Sequence, residues 1–169
     1  MPTTFTKIAS VSVGVLGAAT IDFTSIPSTY TDLCLKVSAR GSTTFALNGH
    51  FYAITLNNTS ANRSQRFLQG DGATLASGTS SSFTSYMDPS DYTSNTFANN
   101  EIYIPNYAGS TNKSMSLDVT TENNATTSFA ALYAQLWSDT TAINRITLTP
   151  NAGTFVQYST AVLYGINKS

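Results

Sequence analysis

The clearest alternation of apolar and polar positions lies within residues 21–40. In an extended segment, one side would collect four apolar residues: Leu33, Leu35, Val37 and Ala39. The opposite side would be polar, with Cys34 as the one exception. This period of two is expected of a half-buried β-strand. Because Pro27 restricts the backbone just upstream, we predict a central strand that is entered from a proline corner.

Shorter segments with the same period recur along the chain. Residues 5–13 and 18–23 predict a hairpin, with the glycine-containing segment 14–17 as its turn. Residues 129–137 are apolar on both faces, which predicts a fully covered central strand, with a helix as the alternative. Further strands are predicted at 50–57, 66–68, 101–104, 114–120, 143–148 and 155–166.

About eight to ten short strands separated by turn residues indicate an all-β fold. We predict a single β-sandwich domain over residues 1–169, with a jelly-roll-like arrangement of strands. Residues 70–96 are rich in Ser, Thr and Gly, and we interpret them as loops or a lightly paired edge. Their aromatic content exceeds that of a solvated linker, so we expect the domain itself or a neighbouring subunit to order them.

Composition excludes some partners and favours others. Only 10% of the residues are charged, and the formal net charge is −1. Nucleic acid and anionic membranes are poor partners for such a chain, because both require clustered Lys and Arg. Low charge fits a subunit packed in a large assembly, and it equally fits an ordinary β protein rich in Ser and Thr. We expect an unprocessed protein made in the cytoplasm, since no secretion signal is recognisable.

Candidate catalytic and metal-binding residues are few. His50 is the only histidine, which excludes a site with several histidines. Glu101, Asp118 and Glu122 could supply paired carboxylates, but we interpret them as solvated residues on strand faces. Residues 70–72 and 88–91 resemble fragments of calcium loops without the full ligand spacing. Cys34 cannot form an intrachain disulfide, because it is the only cysteine. We therefore expect neither an enzyme nor a bound cofactor or metal.

A group of mostly aromatic residues in or beside the predicted loops is a candidate partner-binding site. Such residues could anchor a neighbouring subunit, stack against sugar rings, or form a small core beneath a long loop. We name five of them as candidate contacts: Tyr86, Met87, Tyr92, Phe97 and Tyr107.

Three runs of sequence carry a resemblance to a known class of proteins. They are VSVGVLGAATIDFTSIPSTYTDLCLKVSARG, NNEIYIPNYAGSTNKSMSLDVTTENNA and LWSDTTAINRITLTPNAGTFVQYSTAVLYGI, which together cover well over half of the chain. In these runs the chain resembles small virion structural proteins of tailed bacteriophages, cyanophages among them. The resemblance implies a particle protein without catalytic residues, of either the capsid decoration type or the fibre type.

The sequence and this resemblance together give the functional hypothesis. We expect a capsid decoration, or cement, protein that binds the outer surface of the major capsid protein shell on the virion. A symmetric lattice favours a closed homo-oligomer, and we expect a trimer. The alternative is a tail-fibre or receptor-binding module that recognises a glycan on the host surface.

Overall fold

The described residues of the computed structural model, 4–123 and 128–167, form an all-β domain. The two ends of the predicted domain 1–169 lie outside them. Within the described ranges the only helical segment is a 3-10 turn at Phe45–Leu47. Twelve strands are present there: β1 Phe5–Ser12, β2 Ile21–Phe23, β3 Asp32–Ala39, β4 Phe51–Leu56, β5 Arg63–Gly70, β6 Leu75–Ser80, β7 Thr84–Tyr86, β8 Ala98–Ile104, β9 Lys113–Thr121, β10 Phe129–Trp137, β11 Ile146–Pro150 and β12 Thr160–Ile166.

The strands form two antiparallel sheets of unequal width. The larger sheet has eight strands in the order β1-β12-β3-β8-β9-β10-β5-β6. The smaller has four in the order β2-β11-β4-β7. Inward-facing residues of both sheets belong to one buried hydrophobic cluster. The predicted all-β sandwich is therefore confirmed, with more strands than the sequence indicated.

Eight of the strands are divided equally between the sheets and change sheet at each step along the chain, except from β4 to β7. β1, β3, β8 and β12 lie in the larger sheet, and β2, β4, β7 and β11 lie in the smaller. β12 inserts between β1 and β3, and β11 inserts between β2 and β4. These two insertions are consistent with the jelly-roll-like arrangement, which stays a prediction. The remaining four strands, β5, β6, β9 and β10, widen the larger sheet beyond β8; we call them the extension.

The predicted central strand is confirmed. β3 lies between β12 and β8, and its four alternating apolar residues are fully buried. Across the core they face the buried apolar residues of the smaller sheet, which include Ile21, Ile54 and Leu148. Burial of such side chains contributes about 1.5–3 kcal/mol each and is the main force that holds the two sheets together.

The predicted hairpin of residues 5–13 and 18–23 is wrong. β1 pairs with β12 in the larger sheet, whereas β2 pairs with β11 in the smaller. The turn closed by the Gly17 N–H and the Gly14 carbonyl carries the chain from one sheet to the other, and Ala18 then pairs with Phe155. The apolar faces of the two segments thus meet across the sandwich instead of lying side by side.

Residues 129–137 form the predicted central strand, β10, which lies between β9 and β5. The helical alternative is wrong, and so is the expectation that both faces are covered, because buried and exposed residues alternate along the strand. Tyr133 and Trp137 face the core, while Leu132 on the opposite face is 58% exposed. No layer of the described chain covers that outer face, so its apolar residues meet solvent.

Residues 70–96 are ordered by the domain itself. They include β6, which is a paired edge strand, and β7, which is largely buried. The following loop wraps around Arg40 at the end of β3. The Arg40 guanidinium donates hydrogen bonds to the carbonyl oxygens of Tyr92 at 2.9 Å and Thr93 at 2.8 Å, and also to those of Ser90 and Thr96. Of the two expected sources of order, the domain itself and a neighbouring subunit, the structure shows the domain.

We expect Arg40→Met to lower the free energy of unfolding by about 3 kcal/mol, because inward-facing carbonyl oxygens lose their donor. Denaturant titration measures the change. Arg66→Met is the matched control: Arg66 lies on an exposed position of β5, and its removal should change stability by less than about 0.5 kcal/mol. Equal losses in the two variants would contradict the role given to Arg40.

Candidate functional site

The five candidate partner residues lie mainly inside the domain. Tyr86, Met87, Tyr92 and Tyr107 are buried in the domain, and Phe97 is half-buried. The Tyr86 ring stacks on Phe129, with 4.6 Å between ring centroids, and its hydroxyl donates to Gln69 Oε1 at 2.7 Å. These side chains form the core beneath the loops, which was one of the three interpretations. As placed, they offer little surface to a neighbour.

His50 is a structural residue in its surroundings. Its ring is buried and lies 3.9 Å from the Phe45 ring, centroid to centroid. Nδ1 lies 3.1 Å from the Phe45 carbonyl oxygen, which only accepts, so Nδ1 carries a proton. Burial lowers the pKa of His50, which favours the neutral ring. Within the described chain no carboxylate or nucleophile is hydrogen-bonded to it.

His50 should make stability depend on pH. Because its pKa is lower in the folded state, the unfolded chain takes up the proton first as the pH falls. Stability is therefore complete above about pH 6.5 and declines below it, by at most about 1.4 kcal/mol per pH unit. Unfolding free energies measured between about pH 7.5 and about pH 5.5 test this. In His50→Gln, which cannot titrate, the slope should vanish, and a slope that persists would contradict the assignment.

Two of the three candidate carboxylates are neighbours. Glu101 on β8 and Asp118 on β9 are directly opposite each other on the outer face of the larger sheet. Both are exposed, and Glu101 forms an ion pair with Lys36 at 2.9 Å. Glu122 follows the end of β9. The pair lies on an open sheet surface, where water screens the charges and nothing encloses a substrate.

The acidic residues of the two calcium-like segments have different surroundings. Asp71 accepts hydrogen bonds from the backbone N–H groups of Ala73 and Thr74, and these bonds lower its pKa. Asp88 is buried, and burial raises the pKa of its carboxyl. The carbonyl oxygens of the loop that follows Asp88 accept hydrogen bonds from the Arg40 guanidinium. Among the described residues, no three His, Cys, Asp or Glu side chains are grouped to hold a metal ion.

Cys34 is buried on the outer face of β3, opposite Tyr103 of β8 and Tyr164 of β12. Burial raises the pKa of its thiol to about 11. We expect no reaction with a thiol reagent in the folded protein near pH 8, and full reaction after denaturation. Fast labelling of the native protein would contradict this burial.

Several exposed leucines lie together on the outer face of the extension. Leu68 of β5 and Leu132 of β10 are directly opposite each other and are 54% and 58% exposed. Leu75 of β6 pairs with Gly70, two residues beyond Leu68 on β5, and is 85% exposed. Ala130 and Leu136 of β10 continue the surface along the strand. We call this surface, with its three leucines at 68, 75 and 132, the outer leucine face.

The outer leucine face is shallow and weakly charged. A groove of about 450 Å³ runs over it, lined mainly by apolar groups of β5, β6, β9 and β10. Arg66 and Asp118 border it, and neither forms an ion pair within the described chain. An exposed apolar surface with a polar border is typical of a protein interaction site. The sequence signal for it was the second apolar face of residues 129–137, which we had assigned to an inner layer.

A smaller cleft lies on the inner side, where the smaller sheet ends. It has a volume of about 290 Å³ and is lined by aromatic rings and amides, among them Phe51, Phe67, Tyr133, Gln65 and Gln69. Gln65 is committed to neighbours, since its Oε1 accepts from Gln135 Nε2 at 2.6 Å. Flat rings beside amide groups are a suitable surface for a sugar ring. Stacking against sugar rings was one of the interpretations of Tyr86, which also lines the cleft. The sequence pattern did not indicate Phe51 or Phe67 as part of such a surface.

A second exposed apolar group lies at the end of the domain, away from the extension. Val15 and Leu16 occupy the turn after β1, and Leu16 is 95% exposed. Tyr158 is also exposed, and its backbone N–H donates to the Val13 carbonyl at 3.0 Å. These residues form a loop tip, in contrast to the flat outer leucine face.

No known protein family, curated protein or solved structure matches the chain. Among the described residues, no helix has the length and apolar character required to span a membrane.

Proposed function

We propose that this protein is a bacteriophage capsid decoration protein that binds the outer surface of the major capsid protein shell through the outer leucine face. The observation that carries the proposal is the exposure of Leu68, Leu75 and Leu132 on one flat sheet surface. Exposed leucines of this number in one place are costly in water and are stabilised when another protein covers them.

The candidate chemistry supports binding over catalysis. The paired carboxylates lie on an open surface, and the histidine is buried against rings with a lowered pKa. Low charge is also consistent with a subunit whose surface is covered in an assembly. We propose that the trimer forms on the shell and not in the free protein, because threefold positions of the lattice bring three copies together there.

The proposed mechanism is mass action. A protein that binds the assembled shell but not the separated capsid subunits stabilises the shell in proportion to its occupancy and affinity. A rigid sandwich suits this task, since little conformational entropy is lost when a preformed surface binds.

The inner cleft favours one alternative. A tail-fibre or receptor-binding module would place a host glycan against Phe51 and Phe67, where Gln69 supplies an amide. The number of copies in purified particles separates the two functions: hundreds of copies on the head support decoration, and a few copies at the tail support glycan recognition.

We expect Leu132→Ser to weaken binding to shells that lack the protein by about tenfold to a hundredfold, because one buried leucine contributes about 1.5–3 kcal/mol. Co-sedimentation of purified protein with such shells measures it. Leu16→Ser is the control, since it makes the same change at an exposed leucine of the loop tip, which is 95% exposed against 58% for Leu132. Wild-type binding by Leu132→Ser, or a loss confined to Leu16→Ser, would overturn this choice of surface.

A further inference from the structure

The two sheets have four edges, and three of them are blocked. β1 carries Lys7 and a register shift between Lys7 and Ala9. β2 and β7 have only three residues each. Charges, bulges and short length are the features by which proteins prevent unwanted strand pairing.

The fourth edge, β6, lacks these protections. Its six residues, LASGTS, include no charge and no proline, and its pairing with β5 runs without a register shift. No strand of the described chain pairs with β6 on its other side. A flat, uncharged edge of this length is a template for another strand.

The hydrogen-bond pattern identifies the free backbone groups. The Asp71 N–H donates to the Thr74 carbonyl at 3.2 Å, so this pair is a hydrogen-bonded one. Hydrogen-bonded and non-hydrogen-bonded pairs alternate in an antiparallel ladder. It follows that Leu75, Ser77 and Thr79 direct their N–H and C=O groups away from β5, towards the open edge.

We propose that β6 pairs with β6 of a second copy of this chain, antiparallel, around a two-fold axis beside Ser77. In this register Leu75 lies opposite Thr79 of the second copy, and Ala76 lies opposite its Gly78. All of the apposed side chains are uncharged, and all except Leu75 are small, so the strands meet without like charges or crowding. The two larger sheets then become one continuous sheet.

Charge and apolar burial favour a second copy as the occupant. Arg66 lies on β5, where it pairs with Thr79 of β6, and Asp71 lies in the turn that precedes Leu75. The two-fold axis brings Arg66 of one copy to the end of the edge where Asp71 of the other lies, and these charges are opposite. Leu75, 85% exposed in the single chain, is partly covered by the added strand. The inference concerns the edge of the sheet and does not depend on the proposed function.

Measurements on the purified protein test the pairing. The mass in solution should rise with concentration from one 18.0 kDa chain to two. Ser77→Lys should remain a monomer, because it places two like charges at the two-fold axis. Ser116→Lys is the control: it makes the same change on the exposed side of β9 and should associate as the wild type does. Circular dichroism verifies that both variants are folded.

Disulfide trapping locates the contact. Opposite residues of a hydrogen-bonded pair have Cα atoms about 5.5 Å apart, which a disulfide can bridge. Ser77→Cys should therefore cross-link two copies under mild oxidation, whereas Ser116→Cys should not. The native Cys34 is buried and does not compete. A wild-type chain that stays monomeric at every concentration overturns the proposal, and so does cross-linking by Ser116→Cys in place of Ser77→Cys.

Discussion

Four strands can cover only part of an eight-stranded sheet, and most of the domain's surface properties depend on this mismatch. Over β3 and β8 the smaller sheet supplies an apolar lid, and the inward side chains there are fully buried. Towards β5 and β6 the lid ends, and inward positions become partly exposed. The extension therefore has an apolar outer side and an open edge, and its inner side is buried at β9 and β10 but partly exposed at β5 and β6.

Polar side chains fix how the lid sits on the larger sheet. Tyr52 of the smaller sheet donates to Asn100 Oδ1 of the larger at 3.0 Å, and Ser85 donates to the same oxygen. Gln65 of β5 accepts from the Thr84 N–H of β7 at 3.2 Å. Apolar contacts alone permit sheets to slide, whereas buried hydrogen bonds hold at one position only. The links from Thr84 and Ser85 lie on β7, the last strand of the smaller sheet.

The sequence predicted the parts of the fold that depend on local period. The alternation in β3 and β9 gave both strands and their buried faces, because one side of each meets a continuous core. It could not predict strand partners, since the turn at Gly14 and Gly17 suits a hairpin as well as a crossing between sheets. It also could not distinguish the two causes of an apolar second face on β10. A hidden layer and an exposed interface have the same pattern along the chain, and only the position of the smaller sheet separates them.

The surroundings of the candidate partner residues could not be predicted for a related reason. Aromatic residues in a stretch rich in Ser, Thr and Gly are expected both of a loop core and of a partner contact, and the structure shows that Arg40 binds the loop carbonyls from within the domain. A charge at the end of a strand gives no local sign of the loop that it will bind.

The large apolar side chains that stay exposed on the extension are Leu68, Leu75, Leu132 and Leu136. Of these, Leu75 belongs to both the outer face and the open edge. A partner on the face and a second copy at the edge therefore bury adjoining surface. A dimer paired through β6 presents two outer leucine faces at once. When one face has bound a partner surface, the other face is held near that surface at high effective concentration, which favours the second contact.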